Sequence, residues 1–396
     1  MGTLNERSGE YRLAREKTRK KTIAVITVIL AVLFFAYIIW FIWNGVRNKE
    51  YHGYNTVQSY DRTDSNTVTY MNYGDNILKY SRDGAMAMDA DGNTLWNGSF
   101  EMQNPMVDCR GSYVAAADTG GREVYVYSGE DSGTVIDVPL PVQAVRVAAQ
   151  GVVAVLLEDE NSNSINLYNP YDPSNKLLVE VPTNVKTDGY PVDIALSPDG
   201  QSLVTTYLTV NGGATESRVC FYNFSEVGQD KNRIVGGKTY DSSLVSKIEF
   251  VNDDTVCVFL DNGFTLFRNM KQPAEIYSEE FESEIKSVVY DEGYVGFIFE
   301  QGDGDGKYSL KLYDADGKVI LDSGIDYEYE SVYLDGPEVI FMSAKGCNII
   351  KTNGVCKLRC DFDTGVRYLF GTGKDDTYFM IDDRMINIVE LTEDDV

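Results

Sequence analysis

The longest uninterrupted hydrophobic stretch is residues 23–43, IAVITVILAVLFFAYIIWFIW, without a single charge. A helix rises about 1.5 Å per residue, so this run reaches roughly 30 Å, the depth of a bilayer's hydrocarbon core. A buried soluble helix would carry a polar stripe, and none divides the run. A cleaved signal would end at small residues, whereas this run continues into Trp43-Asn44-Gly45-Val46-Arg47. The pattern predicts a retained transmembrane helix over 23–43, with Tyr37, Trp40 and Trp43 as anchors at its C-terminal interface.

Beyond that run the hydrophobic pattern becomes short and periodic. Very apolar segments begin at Ile77, Tyr113, Val152, Leu203, Val256, Val295, Val339 and Tyr378, with spacings of 36, 39, 51, 53, 39, 44 and 39 residues. Such a period fits four-stranded propeller blades. The segments are apolar on both faces, as expected of a sheet sandwiched between two neighbours, rather than alternating like a half-buried strand. A further strand follows each of five of them and ends on an aromatic: Tyr127-Ser128, Tyr168-Asn169, Tyr222-Asn223, Phe267-Arg268 and Tyr313-Asp314. Asp91-Gly92, Asp199-Gly200, Asp316-Gly317 and Asn353-Gly354 supply hairpin turns that need positive φ.

These units predict an all-β fold, a β-propeller of eight four-stranded blades, with seven the alternative if two weak units merge. The last unit holds only three strands, at 366–370, 378–381 and 386–390. An unused strand at 56–60 completes it and closes the ring without a free edge. The expected organisation is a basic cytoplasmic tail (1–22), the helix (23–43), a short stem (44–55), the propeller (56–391) and an acidic tail (392–396).

Charge adds an orientation. Residues 1–22 hold seven Lys and Arg, among them Lys17, Arg19, Lys20 and Lys21, against three Glu. This inside-positive flank places the N-terminus in the cytoplasm and the C-terminal domain outside it. The whole chain carries a formal charge of −26, and its exported part is more acidic still. That charge argues against a nucleic-acid partner.

Three resemblances follow from these motifs. Residues 83–96, with Asp83-Gly84, Asp91-Gly92 and Trp96, resemble the repeat of quinoprotein-type propellers, and Ser197-Pro198-Asp199-Gly200 resembles a turn found in many WD40-like propellers. Both speak to fold alone. The order of basic tail, apolar run, Leu95-Trp96-Asn97, Gln103-Asn104-Pro105, the 118–121 turn, the 150–155 strand and residues 189–200 resembles the domain-of-unknown-function family 5711 of Firmicutes. That resemblance implies a membrane-anchored propeller and supplies no reaction.

Candidate chemistry is sparse. His52 is the one histidine, which excludes a Ser-His-Asp triad and a multi-histidine metal site. No carboxylate pair stands out among the many acids, so no catalytic residue is assigned. Asp303 and Asp305 invite a Ca²⁺ reading, but Lys307, Tyr308 and Asp314 fall where an EF-hand loop needs oxygen ligands, glycine and glutamate; a flexible loop is preferred. Quinoprotein dehydrogenases carry adjacent cysteines, and no two of the six here are adjacent, so no cofactor is expected. If Asn353-Gly354 makes a two-residue turn, Cys347 lies directly across from Cys360 and Cys356 faces Lys351. That pair could be bridged, although buried small hydrophobes are the simpler reading. The expected function is a non-enzymatic interaction or scaffolding module of the cell envelope. Its partners would be the bilayer through residues 23–43 and an envelope protein. The alternative is binding or cleavage of envelope polysaccharide by acids near the channel.

Overall fold

Each of the eight apolar segments becomes the second strand of a four-stranded antiparallel sheet. The computed structural model describes residues 26–41, 45, 48–65, 67–129, 132–158, 163–172, 176–211, 213–225, 233–301 and 306–393. Two units separate, Met1–Glu50 and Tyr51–Val396. In the first, residues 26–41 form a helix (α1) whose apolar side chains, Ile29, Leu33 and Phe35 among them, are exposed. Among the described residues no helix is long and apolar enough to cross a membrane. Both ends of the 23–43 run, including Trp43, lie outside the described residues, as do Lys17, Arg19, Lys20 and Lys21.

The second unit opens with β1 (Gly53–Asp61). Blade 1 is β2 (Thr69–Tyr73), β3 (Asn76–Tyr80), β4 (Gly84–Met88) and β5 (Thr94–Ser99). Blade 2 is β6 (Pro105–Arg110), β7 (Tyr113–Asp118), β8 (Glu123–Ser128) and β9 (Thr134–Asp137). Blade 3 is β10 (Val142–Val147), β11 (Val153–Glu158), β12 (Asn163–Tyr168) and β13 (Leu177–Thr183). A short helix, α2 (Val185–Asp188), leads into blade 4: β14 (Tyr190–Leu196), β15 (Ser202–Asn211), β16 (Ala214–Asn223) and β17 (Ile234–Tyr240). Blade 5 is β18 (Val245–Phe250), β19 (Thr255–Leu260), β20 (Gly263–Arg268) and β21 (Ala274–Glu280). Blade 6 is β22 (Ile285–Asp291), β23 (Tyr294–Glu300), β24 (Tyr308–Asp314) and β25 (Val319–Ile325). Blade 7 is β26 (Ser331–Asp335), β27 (Glu338–Ser343), β28 (Gly346–Lys351) and β29 (Cys356–Asp361). Blade 8 takes β30 (Val366–Gly371), β31 (Thr377–Asp382) and β32 (Met385–Thr392), then returns to β1 as its outermost strand.

The apolar pattern explains the stacking. In β7, Ala115 and Ala117 face blade 3, while Val114 and Ala116 face blade 1. In β19, Val256, Val258 and Leu260 pack on blade 4, whereas Cys257 and Phe259 pack on blade 6. A strand's side chains alternate between its two faces, so a run apolar at every position must be covered on both. Eight apolar clusters result, one between each pair of neighbouring blades. The eighth joins Phe379 and Ile388 of blade 8 to Tyr70 and Ile77 of blade 1.

Closure is longer than the sequence suggests. β1 pairs with β32 from Gly53 opposite Thr392 to Asp61 opposite Met385, so Gly53, Tyr54 and Asn55 belong to the ladder rather than to a stem. Tyr51 also donates its N–H to the Lys357 carbonyl at 2.8 Å. The four turn glycines named above have φ of +81°, +68°, +79° and +86°. The turn at Asn353-Gly354 nevertheless differs from a two-residue hairpin. Gly354 donates to the Lys351 carbonyl, Lys351 donates to Val355, and a bulge follows between Ile350 and Ile349. Cys356 therefore faces Ile350 rather than Lys351, and the bulge restores Cys347 to its place opposite Cys360.

Candidate functional site

In blades 2 to 8 the first strand is less buried than the second: all six residues of β6 are half-buried, against four fully buried in β7. These inner strands line the channel and carry polar side chains that the apolar pattern does not reveal. Four of their aspartates reach across to the next blade. Asp108 accepts from the Val147 N–H at 2.7 Å, Asp193 from Ile248 at 3.1 Å, Asp291 from Gly336 at 2.7 Å and Asp335 from Gly371 at 2.7 Å. Each contact satisfies a backbone donor that the antiparallel ladder of its own blade leaves over.

On the side of blades 2 to 5 the channel is ionic. Arg146 pairs with Asp193 at 2.7 Å, Arg110 with Glu249 at 3.0 Å, and Lys247 with Glu249 at 3.5 Å. Burial pushes the carboxyl groups of Asp108 and Glu249 above the usual carboxylate range, although the neighbouring cations pull the other way. Burial likewise works against the charges of Arg146 and Lys247, but their anionic and phenolic neighbours outweigh it and raise both. Each of these acids has a cation or a backbone N–H as its partner.

Across blades 7, 8 and 1 lies a cavity of about 740 Å³ whose lining is mainly aromatic and aliphatic, with Arg367 and Asn72 among its polar members. Its lining includes Tyr70, Met71, Tyr333, Tyr368 and Phe370, with Glu330 as its one carboxylate. The rings form a connected wall: Tyr70 lies 5.5 Å from Tyr368, Tyr368 5.8 Å from Phe370, and Phe370 5.8 Å from Tyr333. Two phenol groups are tied off behind it. Tyr70 donates to Asp64 at 2.6 Å, and Tyr333 donates to the Leu369 carbonyl. Asp64 is held in turn by Arg62 at 2.5 Å and Lys79 at 3.0 Å. With two of its three phenols so engaged, the wall is mainly ring surface, suited to an apolar or aromatic group.

Strand direction gives the cavity an orientation. It is lined by the beginnings of β26 and β30 and the end of β27, so it opens on the face where inner strands start. β1 enters at the opposite face, where Gly53 meets the end of β32.

The residues singled out in the sequence are scattered. Tyr37 and Trp40 lie together in α1, ring centroids 5.9 Å apart. His52 is exposed, with its backbone N–H on the Thr392 carbonyl at 2.9 Å. Asp303 and Asp305 lie outside the described residues; among the described ones no three His, Cys, Asp or Glu side chains gather as a metal site. Cys347 and Cys360 come together, Sγ atoms 3.8 Å apart. The aromatic cavity and the aspartate contacts were missed. Their one sequence signal is a tyrosine or aspartate within an otherwise unremarkable inner strand.

A family described as a family of unknown function, DUF5711, matches residues 47–391. Among solved structures, the crystal structure of the eukaryotic initiation factor is similar at 12% identity and a TM-score of 0.51, covering 87% of this chain and 88% of that one. Hydrazine synthase of Kuenenia stuttgartiensis aligns at 13% identity and a TM-score of 0.46, over 73% of this chain and 97% of that one. The WD40 domain of Neurospora crassa Pan2 aligns at 8% identity and a TM-score of 0.42, over 73% and 90%. At such identities the likeness is one of fold. Comparison with curated proteins finds no match.

Proposed function

The chain belongs to DUF5711, a family of unknown function, and on that premise we propose that it is a membrane-anchored, extracytoplasmic propeller that acts as a protein-interaction or scaffolding module of the cell envelope. The observation that carries this reading is the aromatic cavity, whose phenols Tyr70 and Tyr333 are already committed to Asp64 and Leu369. A cavity lined by aromatic rings, with two of its three phenols tied off, suits an aromatic or aliphatic anchor from a partner protein. The uncharged run at 23–43 and the basic flank before it support the anchor and its orientation. The closing strand β1 begins on the face of the ring opposite the cavity.

The test uses solubilised full-length chain and its Tyr368→Ala variant as baits against the envelope fraction, with thermal unfolding confirming that both are folded. A partner held by the wild type should bind the variant roughly 30-fold more weakly, as expected for loss of a central aromatic contact. Equal recovery by both baits would put the partner elsewhere. No enrichment over control beads would defeat the reading. Polysaccharide cleavage, the other expectation, needs two converging carboxylates; the cavity lining offers Glu330 alone.

A further inference from the structure

Blade 7 holds a second site of reactive character, away from the channel. Cys347 on β28 and Cys360 on β29 are directly opposed, and their Sγ atoms lie 3.8 Å apart. Directly opposed residues of antiparallel strands have Cα atoms about 4.5–5.5 Å apart, within the range a disulfide spans. The two thiols are unequal. Cys347 is fully buried, whereas Cys360 is partly exposed. Cys356, at the edge of the bulge, is exposed and turns instead to Asn348, whose side-chain oxygen accepts from its thiol at 3.4 Å. Cys109, Cys220 and Cys257 sit on β6, β16 and β19, in other blades.

We propose that Cys347 and Cys360 form a thiol–disulfide exchange site, with Cys360 the attacking thiol and Cys347 the resolving one, and with a low-molecular-weight disulfide as the oxidant. Cys360 loses its proton and attacks one sulfur of the oxidant. A Cys360–S–S–R bond forms, and RS⁻ leaves and takes up a proton. Cys347 then loses its proton and attacks Cys360 Sγ, expelling the second RS⁻, which is protonated in its turn. Two protein thiols have become one disulfide and one small disulfide has become two thiols, so atoms and electrons balance.

Exposure assigns the roles, because only Cys360 is reachable by a molecule in solution. The hydrogen bond from Cys347 lowers the Cys360 pKa and raises that of Cys347, and burial adds to the latter, which points the same way. The site also has a neighbour of consequence. Both cysteines belong to the apolar cluster that contains Tyr51 and Tyr54, and Tyr54 on β1 stacks edge-on against Phe362 at 6.2 Å. A bridge would therefore form beside the strand that closes the ring.

Purified full-length chain in detergent, incubated with oxidised glutathione and then alkylated after unfolding, tests this by intact mass and peptide mapping. Two of the six thiols should become unavailable to the alkylating agent, in a cross-link between the 347 and 360 peptides. Cys356→Ser should bridge at the wild-type rate. Cys347→Ser should trap one glutathione on Cys360, and Cys360→Ser should slow thiol loss at Cys347 at least tenfold. Six alkylated thiols in the treated wild type would overturn the proposal, and so would a bridge or stable adduct centred on Cys356. The wild-type measurement decides the matter even if a variant fails to fold.

Discussion

Glu249 shows how one side chain sets a pH dependence in the channel. Burial raises its folded-state pKa against the pull of Lys247, Arg146 and Arg110. A carboxyl whose pKa rises on folding binds its proton more tightly in the native state. Its contribution to stability is full below the ordinary carboxylate value of about 4.3 and is lost as pH rises through the folded pKa. Glu249→Gln removes that loss. The variant's melting temperature should therefore gain on the wild type between about pH 4 and neutrality. If it instead falls behind over that window, Arg110 and Lys247 hold the carboxylate ionised and the assigned direction is wrong. Gly98 illustrates a second residue-scale constraint: a Cβ there would fall 2.1 Å from the Tyr127 hydroxyl, in the ring that stacks on Trp96 at 4.4 Å.

Among the elements, β1 carries the sharpest expectation. It pairs with β32 along its length and brings Tyr51 and Tyr54 into the cluster between blades 7 and 8. A chain beginning at Arg62 leaves the β32 edge open, and open edges recruit other strands. It should aggregate and lose its cooperative melt, while one beginning at Asn48 stays monomeric by sedimentation. Equal behaviour of the two would show that the ring does not depend on its closing strand. The second strands were legible from sequence because burial on both faces demands an apolar residue at every position, as in β19. The inner strands were not. Asp108, Asp193 and Asp335 look like surface residues until the next blade supplies their partners. The turn after Lys351 was misread for a related reason: Asn353-Gly354 signals a turn, but the bulge that sets its length depends on how β28 and β29 pack.

At the scale of the whole molecule, the ring presents two unlike faces, and the chain supplies a natural reporter of where they lie. Cys356 is exposed near the junction of β28 and β29. With an inside-positive anchor, intact cells treated with a membrane-impermeant thiol reagent should label it, and Cys356→Ser should remove most of that label. Label appearing only after lysis would place the propeller in the cytoplasm and end the envelope reading. Sequence carried the eight-fold repeat to this scale because each blade repeats one burial problem. It did not carry the difference between an ionic and an aromatic side of the channel, which arises from single residues at equivalent positions.

The ring's closure also has a timetable. Ser59 of β1 hydrogen-bonds Asn387 of β32, 328 residues later in the chain. At synthesis rates of about 5–20 residues per second, the first strand waits roughly 16–66 s for its partner to be made. Its middle, largely polar and exposed even in the finished ring, is a sequence that can wait in water. The strand made first is thus the one least harmed by being paired last.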